Sequence, residues 1–122
     1  MVNIEIKGVD EVISNLRDID NKIKEQVGTG IKEATLFMQN EVKLSIAGQR
    51  NEPTSVDTGR LLNSVDLTTS KTEGKVFTDV PYGKFIEFGT SKLSPRRHFR
   101  NSLARNQQKI NQIIKEEIKK IN

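Results

Sequence analysis

Val2, Ile4 and Ile6 alternate with Asn3, Glu5 and Lys7, and from Val9 onward the apolar residues recur every three or four positions instead of every two. A period of two is that of a strand with one buried face, and a period near 3.6 is that of a helix with one apolar stripe. The chain therefore opens with a short edge strand, ended by Gly8, and continues as amphipathic helix. Only 34% of its residues are apolar and 30% are charged. Elements of this kind can build a core, but a thin one that leans on neighbours.

The helical stripe runs through Val9, Val12, Ile13, Leu16, Ile19 and Ile23, with Asp10 suited to the positive end of the helix. It continues through Val27, Ile31, Ala34, Met38 and Val42. Gly28 and Gly30 each weaken a helix by about 1 kcal/mol relative to Ala, which predicts a break or kink between Asp18 and Gly30. The second piece, up to about Ile46, is then the spine of the fold. Residues 47–57, AGQRNEPTSVD, have Gly, Pro and polar residues without an apolar period and read as an exposed, mobile loop, either a projection onto a partner in a ring-forming protein or merely a connector.

Asp57 or Thr58 can cap the short helical turn that follows, with Leu61, Leu62 and Val65 as its apolar anchor. Val65, Leu67 and Thr69 alternate, KTEG at 71–74 reads as a turn, and Lys75 to Val80 is rich in β-branched and aromatic residues, so a β-hairpin is expected that stops at Pro81. Tyr82, Phe85, Ile86 and Phe88 recur at helical spacing, with Gly89 where that helix should end. From about Arg97 a long amphipathic helix is predicted through Phe99, Leu103, Ile110, Ile113, Ile114, Ile118 and Ile121.

The chemistry is sparse. The 122 residues make one domain, 1–122, and leave no room for a second. With no cysteine there is no disulfide or thiolate chemistry, and a lone His98 gives no histidine metal site, so neither a metal nor a cofactor is expected. No apolar run approaches the ~20 residues that span a bilayer, and no secretory signal opens the chain. A reducing cytoplasm is the compartment this implies. No phosphate loop, nucleophile elbow or paired His–carboxylate spacing is present, and the expectation is that the chain is not an enzyme. Asp79 and Glu87 flank the aromatic cluster and could form an acid/base pair, although carboxylates at strand ends and helix caps are more often structural. His98 reads as a cap or a surface residue.

Charge is unevenly spread. Residues 96–122 hold eight Lys or Arg against two Glu within a net charge of +4. In SPRRHFR, the residues Arg96, Arg97 and Arg100 could cradle an anion at a helix N-terminus, which leaves room for non-specific DNA contact. A small basic nucleic-acid-binding or regulatory protein that uses this C-terminal helix is the alternative reading, but no base-reading motif precedes it.

Two segments, VDTGRLLNSV at 56–65 and VPYGKFIEFGTSKLSPRRHFRNSL at 80–103, resemble the phage tail-component family named after gene product ten of a lambdoid phage. Members are also described as head-tail connector, neck or tail-completion proteins. The likeness rests on Asp57-Thr58-Gly59-Arg60-Leu61, then a hairpin, then Tyr82 and Phe85 before Glu87-Phe88-Gly89-Thr90, then Pro95 and Phe99. The chain departs from the pattern at Arg96-Arg97-His98, where many relatives have smaller or apolar residues.

The resemblance implies an α+β fold: a small antiparallel sheet, made of the N-terminal strand plus a hairpin, packed against a long central helix, with a C-terminal amphipathic helix. It also implies a structural virion subunit of a tailed bacteriophage or prophage, assembled in the host cytoplasm. That subunit would form part of a homo-oligomeric ring at the neck or tail end, in contact with other connector and tail proteins, with no catalytic residues to carry over. In that setting Gly59 permits a tight turn, Arg60 can reach an acidic partner, and the Tyr82–Phe88 cluster pins the hairpin end onto the helix. Glu87 and Thr90 then tie the following loop by hydrogen bonds. If the Phe85 ring is core, Phe85→Ala costs roughly 3–5 kcal/mol.

Overall fold

A computed structural model describes residues 2–6, 21–55 and 59–120. The stripe Val9–Ile19 and the candidate caps Asp57 and Thr58 lie outside the described residues. Strand β1 (Val2–Ile6) is followed by α1 (Asn21–Ile46), the short α2 (Arg60–Ser64) and the hairpin of β2 (Asp66–Thr69) and β3 (Gly74–Thr78). Then come α3 (Gly83–Phe88), α4 (His98–Arg105) and α5 (Gln107–Lys119).

The fold is α+β, as expected. β3 is the centre of a three-stranded antiparallel sheet in the order β1-β3-β2, with Ile4 opposite Val76 and Leu67 opposite Val76 on the other side. In that register Val2, Ile4, Ile6 and Val76 point to one face and are buried. They meet the α1 stripe of Val27, Ile31, Ala34, Met38, Val42 and Ile46, all of it buried. Phe99 of α4 and Ile110 and Ile114 of α5 close the core around α1, which thus packs against both the sheet and the helix pair.

Two expectations are corrected. Of the span Asp18–Gly30 in which a break was expected, residues 18–20 lie outside the described residues, and from Asn21 to Ile46 α1 runs through Gly28 and Gly30 without interruption. Packing explains why. A Cβ on Gly30 would stand 3.1 Å from the Ile114 Cα, so the missing side chain is what lets α5 cross there, whereas a Cβ on Gly28 would make ordinary contact with the Lys71 backbone at 3.6 Å. Burial against α5 and the hairpin turn offsets a propensity cost of about 1 kcal/mol per glycine.

The predicted long C-terminal helix is two helices, broken at Asn106 (φ −113°, ψ 13°). The Asn106 side-chain amide donates to the Ser102 carbonyl and to Glu41 Oε1, so the break is fastened to α1.

Gly74 shows how tightly the hairpin seats on the helix. A Cβ there would fall 1.9 Å from Thr35 Oγ1, whose proton is already donated to the Ile31 carbonyl. Gly74→Ala should therefore cost about 2–3 kcal/mol by overpacking, read as a lower urea midpoint. Adding Thr35→Ala should restore part of the loss; an unchanged midpoint for Gly74→Ala would show that the hairpin does not sit against Thr35.

Candidate functional site

The residues between the hairpin and α4 fold into a rigid corner, and the Glu87 carboxylate is its keystone. Four N–H groups at a helix start have no partner within the helix. For α4, two of them are taken by Glu87: Phe99 N–H donates to Oε1 and Arg100 N–H to Oε2, each at 3.0 Å. The Arg96 and Arg97 N–H groups donate to the Ile86 and Glu87 carbonyls, so the 95–97 segment lies along the end of α3. Arg97 occupies the left-handed region at φ 53°, which costs a non-glycine residue about 1 kcal/mol or more. Burial pushes the Glu87 carboxyl above its ordinary range, a shift that the two amide bonds partly offset.

Gly89 and Thr90 complete the corner. Gly89 has φ 78° and donates its N–H to the Phe85 carbonyl, ending α3, and a Cβ there would meet Leu93 O at 2.7 Å and Pro95 Cδ at 2.8 Å. Thr90 Oγ1 accepts from the Lys92 and Leu93 amides. Glu87, Gly89, Thr90 and Pro95 thus act together, as the sequence led us to expect of Glu87 and Thr90.

The aromatic cluster does not act as one unit. Tyr82 and Ile86 pack against the core, whereas Phe85 is 47% and Phe88 69% exposed. Phe88 therefore does not pin the hairpin end, and Phe85, half-buried in a cleft with Val80 and Pro81 at that end, does not meet the condition of a core ring. A six-residue helix turns only one face inward, and here the buried positions are Gly83 and Glu87. Lys84 Nζ stands 5.2 Å from the Phe85 ring centroid. Of the earlier motif, Gly59 has φ 80°, as a tight turn requires, Leu61 is buried and Arg60 lies over the Tyr82 ring at 5.8 Å.

Glu87 also decides what the basic run can do. The start of α4 already holds a carboxylate of this chain, so that end is not free to cradle a phosphate as Arg96, Arg97 and Arg100 suggested. Arg96 turns away from solvent anions: its guanidinium donates to Thr54 O and Ser55 Oγ. An acid/base pair of Asp79 and Glu87 is likewise set aside, because both Glu87 oxygens are committed to α4, while Asp79 is exposed in a cleft beside Lys84 and Phe85.

The 47–55 segment is the loop expected from its composition and is mostly exposed, but buried polar contacts fasten it to α1 and α4; residues 56 and 57 lie outside the described residues. Glu52 is buried in it and accepts from Arg105 Nη1 (3.0 Å), Asn101 and Ser45. Burial alone would raise the Glu52 carboxyl, and the bonds from Arg105, Ser45 and Asn101 outweigh it and hold it at about 2. Arg50 joins Glu41 at 2.7 Å, and Ser55 N–H donates to the Ile46 carbonyl. His98, expected at the surface, is only 1% exposed, with Nδ1 2.8 Å from Ser45 Oγ and Nε2 2.7 Å from Ser55 Oγ.

The proton positions follow from counting donors. Ser45 has one proton, and ionised Glu52 can only accept it. Nδ1 of His98 must then carry the proton it donates to Ser45, and Nε2 accepts from Ser55. Burial holds His98 neutral, with a pKa of about 4. No sequence signal joins Ser45, Glu52, His98 and Arg105, which meet only in the fold. Among the described residues, no group of three or more His, Cys, Asp or Glu is placed to hold a metal, and no helix is long and apolar enough to cross a membrane.

The order of hairpin, Tyr82, Glu87-Phe88-Gly89-Thr90 and a capped helix is now seen as one built corner. A model of the family described as "Bacteriophage HK97-gp10, putative tail-component" matches residues 10–89. The chain belongs to that family. Membership carries a structural role in a tailed phage, and the matched span holds α1, the hairpin and α3 up to Gly89. No curated protein and no solved structure matches the chain.

Two measurements test the tail component's corner and loop. Glu87→Ala should cost about 1–3 kcal/mol, since it strips two buried amides of their acceptor, whereas Phe85→Ala should cost under ~1 kcal/mol as a half-exposed ring; equal losses in urea denaturation would contradict the assignment. The His98 pKa is lowered in the fold, so its share of stability is complete above the unfolded value of about 6.5 and is lost as pH falls toward 4, up to ~3 kcal/mol. His98→Asn should flatten the pH dependence of the urea midpoint in that window, and an unaltered slope would refute it.

Proposed function

We propose that this tail component is a non-enzymatic virion subunit that completes the neck or tail end of a phage or prophage particle, assembled as a ring of identical copies that joins head to tail. The observation that carries this reading is the corner itself. Glu87, Gly89, Thr90 and Pro95 spend a buried carboxylate and two tight backbone positions on holding a six-residue helix rigid, and that helix presents Phe85 and Phe88 to the outside. A rigid, apolar projection suits a repeated protein–protein contact. A thin core built on one helix also suits a subunit that is stabilised by its neighbours.

Adjoining tail and connector proteins are the further partners of such a ring. DNA contact along the channel is a separate possibility for the exposed Lys109, Lys115 and Lys119 of α5, and it would be non-specific and steeply salt-dependent.

Disrupting the gene in its parent phage or prophage is the direct test. Filled heads and separate tails should accumulate, and density for this chain should lie at the head–tail junction of intact particles. Normal joined particles without the protein would overturn the reading. Tight salt-sensitive DNA binding by the purified chain, with no effect on joining, would favour the basic nucleic-acid-binding alternative.

A further inference from the structure

Phe85 and Phe88 lie on one short helix with cations around them. Lys84 stands over the Phe85 ring, the Arg97 and Arg100 amides bond to Glu87, and Lys92 lies in the turn that Gly89 and Thr90 form. All four of these cations are exposed. Against them, among the described residues, stand Asp79, exposed at the cleft beside Lys84 and Phe85, and the half-buried Glu5, which shares a groove with Arg100; Glu87 is buried with its oxygens turned inward. A surface of this kind fits an apolar segment that carries negative charge.

This chain contains such a segment. Residues 9–20, VDEVISNLRDID, hold Asp10, Glu11, Asp18 and Asp20 against a single Arg17, among Val9, Val12, Ile13, Leu16 and Ile19 at spacings of three and four. No twelve-residue stretch elsewhere in the sequence, clear of this one, holds as many carboxylates. We propose that the acidic segment 9–20 of one copy docks on the Phe85–Phe88 surface of the next copy, and that this is the repeating contact of the ring. The inference rests on the ring reading above and names its interface.

Position decides between the same copy and the next. The segment is tethered by Ile6 at one end and by Asn21 at the other. Ile6 pairs with Gly74, about 13 Å along β1 from Val2, which lines the cleft with Phe85. Asn21 starts α1, whose far end at Ser45 touches His98 at the start of α4, about 36 Å away by helical rise. Even fully extended, the five residues from Leu16 to Asn21 span at most ~18 Å. The Leu16–Asp20 half of the segment therefore cannot reach the surface of its own copy, and a contact that engages it runs head to tail between copies. A heterologous contact of this type closes into a ring when its rotation allows.

The absence of cysteine makes the test clean. Leu16→Cys and Phe88→Cys, prepared as separate single variants of the full chain and mixed under mild oxidation, should yield a disulfide-linked pair containing one of each. Leu36→Cys, exposed elsewhere on α1, should link to Leu16→Cys far less. Lys84→Glu should weaken self-association, and combining it with Glu11→Lys should restore it.

Linking of 16 to 88 only within a doubly substituted chain, or equal linking to 36, would overturn the inference. If wild-type copies associate in sedimentation runs but 16 does not link to 88, this interface is wrong and the ring reading stands. If neither the purified chain nor the particle shows copies in contact, both fall.

Discussion

The carboxylate of Glu87 bound to the Phe99 and Arg100 amides is the constraint on which the corner between α3 and α4 depends. A helix N-terminus carries about half a positive charge and unpaired N–H groups, so α4 must be met by an acceptor or by water. Supplying that acceptor from α3, twelve residues earlier, fixes the angle between the two helices. It also dictates the face that α3 presents. With Glu87 turned inward beside Gly83, Phe85 and Phe88 have nowhere to go but out. The left-handed backbone at Arg97 and the crowded Gly89 are the local strain and steric restriction that this geometry imposes.

A second polar cluster does for the 47–55 segment what apolar packing does elsewhere. Glu52 gathers Arg105, Asn101 and Ser45, and His98 bridges Ser45 to Ser55, so α1, the loop and α4 are held by hydrogen bonds of fixed polarity. Buried ions stabilise only when every remaining lone pair and proton is satisfied. That condition holds: among the described residues no buried side-chain nitrogen or oxygen lacks a partner. Such a network adds little net stability compared with an apolar core, but its bonds are directional, and it specifies one arrangement of loop and helix where a thin core alone would not.

The parts of this fold that were legible in the sequence are those set by period. Alternation at Val2, Ile4 and Ile6 gave the buried face of β1, and the stripe from Val27 to Val42 gave the buried face of α1, because burial of one face is a local pattern. What escaped was tertiary. Gly28 and Gly30 look like breakers until Ile114 is seen crossing at the missing Cβ. Asn106 looks helical until its side chain is seen reaching Glu41. Phe85 and Phe88 obey a helical spacing, but in a helix of six residues the spacing does not say which face is buried. Glu52 and His98 gave no signal at all, since each is polar in a polar context and finds its partners some fifty residues away.

The capped corner and the exposed phenylalanines belong together for an energetic reason. Holding a large ring wholly in water forgoes roughly 1.5–3 kcal/mol of burial, and Phe85, half-buried, and Phe88, 69% exposed, each forgo part of it. A monomer that needed only to fold could recover much of this by turning α3 so that Phe85 or Phe88 replaced Glu87 inside. The capped α4 opposes that rotation, because it would strand two buried amides at about 1–3 kcal/mol each. The two terms are of the same size and opposite sign, so the cap keeps the apolar surface outside at little net cost to the monomer. Burial of those rings then remains available to whatever binds there, with no need to unfold the corner first.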